Sequence, residues 1–439
     1  MPAEPTRVTG MDVTVGDSGQ RMLALMRETF DLPRSLTGDG VRGTLAAVAR
    51  SVPVELTEVP SGTRVFDWTV PPEWRVREAH VTAPDGTRVV DAAASPLHLL
   101  GYSVPVQQTL SREALLPHLH GLADRPAATP YRTSYWEPRW GFCLPQRDID
   151  ALGDGDYAVL IDTELDPEGS MTVGEIVVPG VTSEEVLIST PVCHPGLAND
   201  NLSGVAVLAE LGRLLHAAGP LRRTHRILFS PGTIGPLWWL HDNLSRLDRI
   251  HAGLAVMCAG DRGPITYRRT RDGNQTVDRA MALVLADHET GADIRPFLPW
   301  GGDERQYNSP GFRLPVGALT RTPPGEYPEN HTSDDDMSLI SAEALTDTLR
   351  VMLDVIAVLE HDERPVSVNP HGEPQLGRRG LTNRRGGEKG NQREMAMLWV
   401  LNLADGEHSL MDCAERSGLP FDVIRSAADD LRAAGLLRS

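Results

Sequence analysis

Apolar positions along the chain change their period several times. In QRMLALMRETF and GVRGTLAAVARSV they recur every three to four residues, which predicts two helices separated by the breakers of DLPRSLTGDG. From about residue 53 to 170 the texture is short β-type runs, TRVFDWTV, REAHVTA and YAVLIDTEL, punctuated by PPEW, APDG and GDGD; this predicts a small β-rich module. From about residue 174 strand and helix alternate. GEIVVPG and EEVLIST read as strands, GVAVLAELGRLLHAAG as a helix ended by Gly219 and Pro220, THRILFSP as a strand, IGPLWWLHDNL as a helix and AGLAVMCAG as a strand. That alternation implies an α/β fold, a mostly parallel mixed sheet flanked by helices, whose ligand site lies beyond the carboxyl ends of the strands.

Beyond a Pro-, Gly- and Arg-rich stretch, the C-terminal residues read as three helices with a turn at SGLP, the outline of a helix-turn-helix. The expected organisation is therefore 1–52 as an N-terminal helical part of the main domain, 53–170 as a β-rich insertion and 171–362 as the main domain. A connector over 363–394 and a C-terminal unit over 395–439 complete it.

Composition narrows the function. At 439 residues the chain is long enough for two or three domains, and its formal net charge of −18 argues against nucleic acid as a partner, because phosphate backbones are bound through clustered Lys and Arg. The helix FDVIRSAADDLRAAG sets Asp422, Asp429 and Asp430 against Arg425 and Arg432, so it lacks a basic face; packing or homo-oligomerisation is the role expected of it. Cys143, Cys193, Cys258 and Cys413 show no paired spacing, which fits buried thiols in a reducing compartment. No basic segment followed by an apolar stretch opens the chain, and no apolar run approaches a membrane span, so a cytoplasmic location without membrane contact is expected.

Candidate chemistry sits where strands should end. His194 follows EVLIST, Asp303 lies in GGDERQY, His331 lies in EYPENHTSDDD, and Asp200 precedes the helix that starts near Ser203. Two imidazoles and two carboxylates suit zinc, and the same ligand types suit Mn or Co. The spacing is not the one-helix HExxH pattern, so the four would have to converge from separate loops. By spacing alone a loop histidine is usually a hydrogen-bonding or surface residue, and Asn199 and Asn201 could simply cap the helix.

HPGLANDNLSG, SPGTIG, GGDERQYNSPGF and YPENHTSDDD together resemble a family of bacterial aminopeptidase-like proteins related to zinc aminopeptidases and glutaminyl cyclases. The resemblance extends to SGTRVFDWTVPPEW, PYRTSYWEPRWGFCLP and GEPQLGRRGL, and implies a protease-associated-like insertion and a C-terminal winged helix. It also implies that Asp200 lies closest to the metal, that His194 and Asp303 share an ion, and that His331 serves the second metal position of the two-zinc enzymes. The glutamate pair of those enzymes is missing, so one zinc is expected, with two as the alternative. Relatives usually carry a glutamate where this chain has Gly232, and that glutamate resembles the general base that takes a proton from the attacking water. Glycine moves no proton. Glu304 is the first substitute to examine as a catalytic residue, with Glu326 and Asp334 after it, although orienting a ligand is the role more to be expected of Glu304.

Arg132, Arg139, Arg305 and Tyr307 lie in polar, aromatic stretches where they could bind substrate or anchor the insertion, and Tyr327 and Asn330 flank His331. The leading expectation is a zinc-dependent aminopeptidase-like hydrolase acting on an amide bond of a small peptide or aminoacyl substrate. An amide-forming or aminoacyl-transfer enzyme, and a catalytically silent peptide-binding protein, are the alternatives.

Overall fold

The computed structural model describes residues 14–286, 288, 291–381 and 391–438. Its centre is an eight-stranded sheet. From edge to edge the strands are Glu55–Pro60, Ser170–Val178, Thr224–Ser230, Glu185–Pro191, Ile250–Val256, Val316–Thr320, Ile265–Arg268 and Ala292–Arg295. The middle four are parallel neighbours, whereas Ser170–Val178 and Ile265–Arg268 join them antiparallel, so the sheet is mixed, as the pattern predicted. Both faces are covered, which is why every residue of Glu185–Pro191 is buried, the polar Glu185, Ser189 and Thr190 included.

One face carries the helices Ser18–Thr29, Gly204–Ala217 and Ala342–His361, which pack on one another over a continuous apolar cluster that includes Leu208, Leu349 and Val355. Gly204 starts its helix hard against the strand ends, where a Cβ would stand 2.5 Å from Thr190 Oγ1 and 3.0 Å from the Val256 carbonyl. This close approach brings the loop before the helix directly over the carboxyl ends of the strands. The other face is covered by Ile234–Asp242, through Ile234, Leu237 and Leu240.

The β-rich insertion leaves the main sheet after Pro60 and returns at Ser170. It has its own four-stranded sheet, in the order Arg88–Asp91, Glu73–Thr82, Asp156–Asp166, Val106–Ser111. Residues 55–60 were expected inside the insertion and instead form the edge of the main sheet; five of the six are exposed, so their pattern carries no burial signal. Of the expected 363–394 connector, 382–390 lie outside the described residues and the beginning differs from expectation. Val366–Ser367 pairs with Leu437–Arg438 and so belongs to the C-terminal unit.

That unit is built from the helices Gln392–Leu403, Leu410–Ser417 and Phe421–Ala433, the first two opened by reciprocal caps, Asn391 with Glu394 and Ser409 with Asp412. It is fixed to the main domain. Ile424 and Leu431 belong to the same apolar cluster as the central helices, and Arg279 donates to Asp412 and Glu415 at 2.7 Å each. The outward positions of Phe421–Ala433 include Asp422, Ser426 and Asp429, an acidic and not a basic surface. Among the described residues no helix is long and apolar enough to cross a membrane, and all four cysteines are buried and unpaired.

Arg42 locks the insertion to the N-terminal helices. Its guanidinium reaches Glu73 at 2.7 and 2.9 Å, Glu58 at 3.2 Å and Ser170 at 3.0 Å. Its hydrogen bonds hold the Glu73 carboxyl down at about 2, although burial pushes the other way. Because that pKa is depressed, the stabilisation is complete above the ordinary carboxylate value and is lost as pH falls from about 4.5 towards 2. Arg42→Ala leaves buried Glu73 with Arg75 at 3.2 Å and the Ser170 amide at 2.9 Å as its remaining partners, and is expected to destabilise the fold by about 1–3 kcal/mol at pH 7. In thermal unfolding the gap to wild type should close as pH drops through that window; a gap that persists at pH 2 would assign the loss to packing.

Candidate metal centre

Three side chains from two loops meet beyond the strand ends. His194 stands three residues after the strand Glu185–Pro191; Asp200 lies in a kinked, widened helical turn over Ala198–Ser203, with φ −107° and ψ 87°; His331 comes from the loop after Val316–Thr320, at a left-handed φ of 55°. One ligand atom from each lies within 4.8 Å of the others. His331 Nε2 stands 2.9 Å from Asp200 Oδ2, and His194 Nδ1 stands 3.2 Å from Asp200 Oδ1.

The His194 tautomer follows from its neighbour. Nδ1 lies 3.0 Å from the Asp200 carbonyl, which can only accept, so Nδ1 carries a proton and Nε2 is the nitrogen that would meet a metal, giving up its own proton to do so. Arg34, 1% exposed, fixes the loop from behind by donating Nε–H to the His194 carbonyl at 2.8 Å, and it also donates to carbonyls at the end of Ser18–Thr29. Burial lowers the Arg34 pKa to about 10.

The two imidazoles and the Asp200 carboxylate set one another's charge. Burial favours a neutral Asp200, yet His194 and His331 hold its carboxyl far below the usual range; burial likewise disfavours a charged His194, yet Asp200 holds that imidazole well above 6.5. Asp200 Oδ1 is buried and accepts no hydrogen bond. A buried carboxylate with an orphaned oxygen, between two imidazoles, fits a cation.

Behind Asp200 a network holds the turn in place. Asp335 accepts the amide hydrogens of Asn199 at 2.6 Å and Asp200 at 3.0 Å and the Tyr327 hydroxyl at 3.1 Å, while Asn330 donates to Asp200 Oδ2 at 3.1 Å. Burial raises the Asp335 pKa to about 6. Asn199 does not cap the helix; its amide bridges Gly260 and Asp261. Sequence reasoning missed Asp335 because SDDD offers three aspartates in a row and no periodicity to choose between them.

The three residues open onto a cavity of about 370 Å³. Asp303 and Arg305 stand on its wall. Asp303 accepts the Thr233 amide hydrogen at 2.8 Å, and burial raises its pKa; Arg305 donates to the Gly301 carbonyl at 3.0 Å and to Thr233 Oγ1 at 3.2 Å. Gly232 lies on the same wall, where a Cβ would meet Cys193 Sγ at 3.6 Å, Pro191 Cβ at 3.8 Å and Asp303 Oδ2 at 4.0 Å, all ordinary contacts. Tyr131 packs on both imidazoles, with ring centroids 5.1 Å from His194 and 5.3 Å from His331.

Other expected residues fall elsewhere. Glu304, 1% exposed, does not line this cavity; it faces a separate space of about 20 Å³ beside Arg268, screened by Gly302, where a Cβ would come within 2.6 Å of its carboxylate. Burial raises the Glu304 pKa to about 7. As the helix turns after Asp303 the next side chain points behind the wall, so a neighbour in sequence is not a neighbour in the cavity. Glu326 is paired with Arg295 and Asp334 with Arg125. Arg132 and Arg139 are exposed outside the cavity, Arg139 beside Glu137. Tyr307 is buried in the apolar cluster of the far face, and Tyr327 contributes its hydroxyl to the network behind Asp200.

A family described as a domain of unknown function, DUF4910, matches residues 23–362, and a winged helix-turn-helix family matches 363–439. The chain belongs to the DUF4910 family. This DUF4910 protein is 41% identical over 423 residues to a Clostridium acetobutylicum protein named "Putative polysaccharide biosynthesis protein with aminopeptidase-like domain", covering 96% of this chain and 97% of that one. A crystal structure of a "putative peptidase" from the same organism superimposes with a TM-score of 0.91 at 40% identity, over 97% of this chain and 98% of the other. The zinc aminopeptidase of Bacillus subtilis superimposes with a TM-score of 0.57 at 13% identity, over 77% and 94% of the two chains. The DUF4910 member thus has an aminopeptidase-like fold with a C-terminal winged helix.

Proposed function

We propose that this protein is a zinc-dependent aminopeptidase-like hydrolase acting on an amide bond of a small peptide or aminoacyl substrate. The observation that carries the reading is the convergence of His194, Asp200 and His331 around an orphaned, buried carboxylate oxygen at the wall of an open cavity. These three residues would hold one ion, with Asp303 on the same wall as a fourth donor. Zinc bound there supplies Lewis acidity to an amide carbonyl.

The chain's own groups do the rest. Arg305, half-buried and without a carboxylate partner among the described residues, presents guanidinium hydrogens to an anionic group of the substrate. Asp335 and Asn330 keep the Asp200 carboxylate aimed at the cavity, and Tyr131 packs both imidazoles in place. No carboxylate occupies the position of the usual general base, and the open space at Gly232 favours aminoacyl transfer as a second reading, in which an amine and not water attacks.

The test is turnover of an aminoacyl-amide panel by the full-length protein before chelation, after it, and after zinc add-back. The expected result is slow release of amine, abolished by chelator and restored by zinc. Turnover indifferent to chelation would defeat the metal reading. A conjugate formed with an added amine acceptor, in place of free acid, would replace hydrolysis by transfer.

A further inference from the structure

Three of the chain's eight tryptophans, Trp68, Trp136 and Trp300, line the one cavity that holds the candidate metal centre. They come from three separate segments, so no local pattern brings them together. Trp136 is 48% and Trp300 58% exposed, and Trp68 meets Trp136 edge to face at 5.1 Å. The backbone under Trp300 is fixed, its carbonyl accepting a hydrogen bond from Arg268 at 3.0 Å, while its ring stands out in water. Indole faces left open around a concave polar site mark a surface that a ligand covers.

The rest of the lining narrows the ligand. Beside the indoles, its apolar lining is Leu36, Tyr135, Cys193, Met257 and two prolines, with no Ile, Val or Phe to shape a pocket for a branched amino-acid side chain. Arg305 is the single Lys or Arg side chain on the wall, too little positive charge for a nucleotide's phosphates. What remains is a ring with one polarised C–H face for the electron-rich indoles and a hydroxylated edge for Arg305, Thr233, Asn330 and water. That is the chemistry of a pyranose, and about 370 Å³ holds one sugar ring with a short acyl group.

We propose that the amide acted on is carried by an amino sugar, whose pyranose ring stacks on Trp136 and Trp300 while its N-acyl group reaches toward His194, Asp200 and His331. This substrate class rests on the hydrolase reading above. Its binding half is nonetheless separable from it, because the indoles hold the ring whether or not a metal is present.

The experiment is saturation-transfer NMR on the full-length protein stripped of metal by chelator, with N-acetylglucosamine and N-acetylphenylalaninamide as probes. Saturation of the sugar ring protons is expected, stronger than that of the aromatic amide, and about five- to tenfold weaker in Trp300→Ala and Trp136→Ala. Melting temperatures matching wild type verify that these exposed positions leave the fold intact. No transfer to the sugar, equal transfer in both variants, or preference for the aromatic amide overturns the proposal. Failure of chelation and zinc to affect turnover would strike the metal reading alone, and absence of turnover the hydrolase reading alone; either leaves this result standing.

Discussion

Gly232→Glu is expected to accelerate amide hydrolysis by roughly 10²- to 10⁴-fold, the range that a positioned general base contributes. The structure has room for it. A side chain starting from Gly232 begins in ordinary contact with Cys193, Pro191 and Asp303, and Gly232 needs no left-handed backbone that a glutamate would strain. Its carboxylate would enter the cavity on the wall shared with Asp303. Neither Glu304, Glu326 nor Asp334 supplies a carboxylate to that space in the wild type. The measurement is kcat for the best amide of the panel, wild type against variant, at equal zinc occupancy. If both turn over at the same rate, some other group already moves the proton and Gly232 is no deficiency. If neither turns over although both bind zinc and ligand, the cleft binds without catalysing.

Asp200→Ala is expected to strip the metal. Partners outside the ligand set are worth about 10- to 100-fold in metal affinity, so loss of the carboxylate that touches both histidines should exceed roughly 10²-fold and leave purified protein with little zinc. Asp335→Asn is the graded comparison. It keeps an oxygen for one amide hydrogen and removes the charge behind the turn, and the zinc loss it causes should fall within about 10- to 100-fold. Mass spectrometry of metal content on the two variants and wild type gives the ranking. Stoichiometric zinc in Asp200→Ala would mean that the His194–Asp200–His331 cluster is an ion-paired structural motif and that the metal, if any, sits elsewhere.

Much of the fold was legible because burial imposes period on sequence. Strands covered on both faces show short apolar runs, VLI in EEVLIST and ILF in THRILFSP, and the Gly204–Ala217 helix showed its spacing, so the alternation named an α/β sheet with its ligand site at the carboxyl ends. Elements without burial left no such trace. The exposed edge strand Glu55–Pro60 and the two-residue Val366–Ser367 pairing therefore shifted the expected domain limits.

The sequence by itself determined the sheet, the order of the domains, and a short list of loop residues of metal-binding type, since those depend on local pattern and residue chemistry. Only the tertiary structure decided which of them share a space. It brought His194, Asp200 and His331 within reach of one ion, placed Asp303 and Arg305 on the same wall, turned Glu304 behind it, and left Arg132, Arg139 and Tyr307 outside. It also gathered Trp68, Trp136 and Trp300 and set Asp335 behind Asp200. The physical reason is that convergence of loops is set by long-range packing of the strands and helices that carry them, and the direction of a side chain at a loop by backbone geometry that no periodicity records.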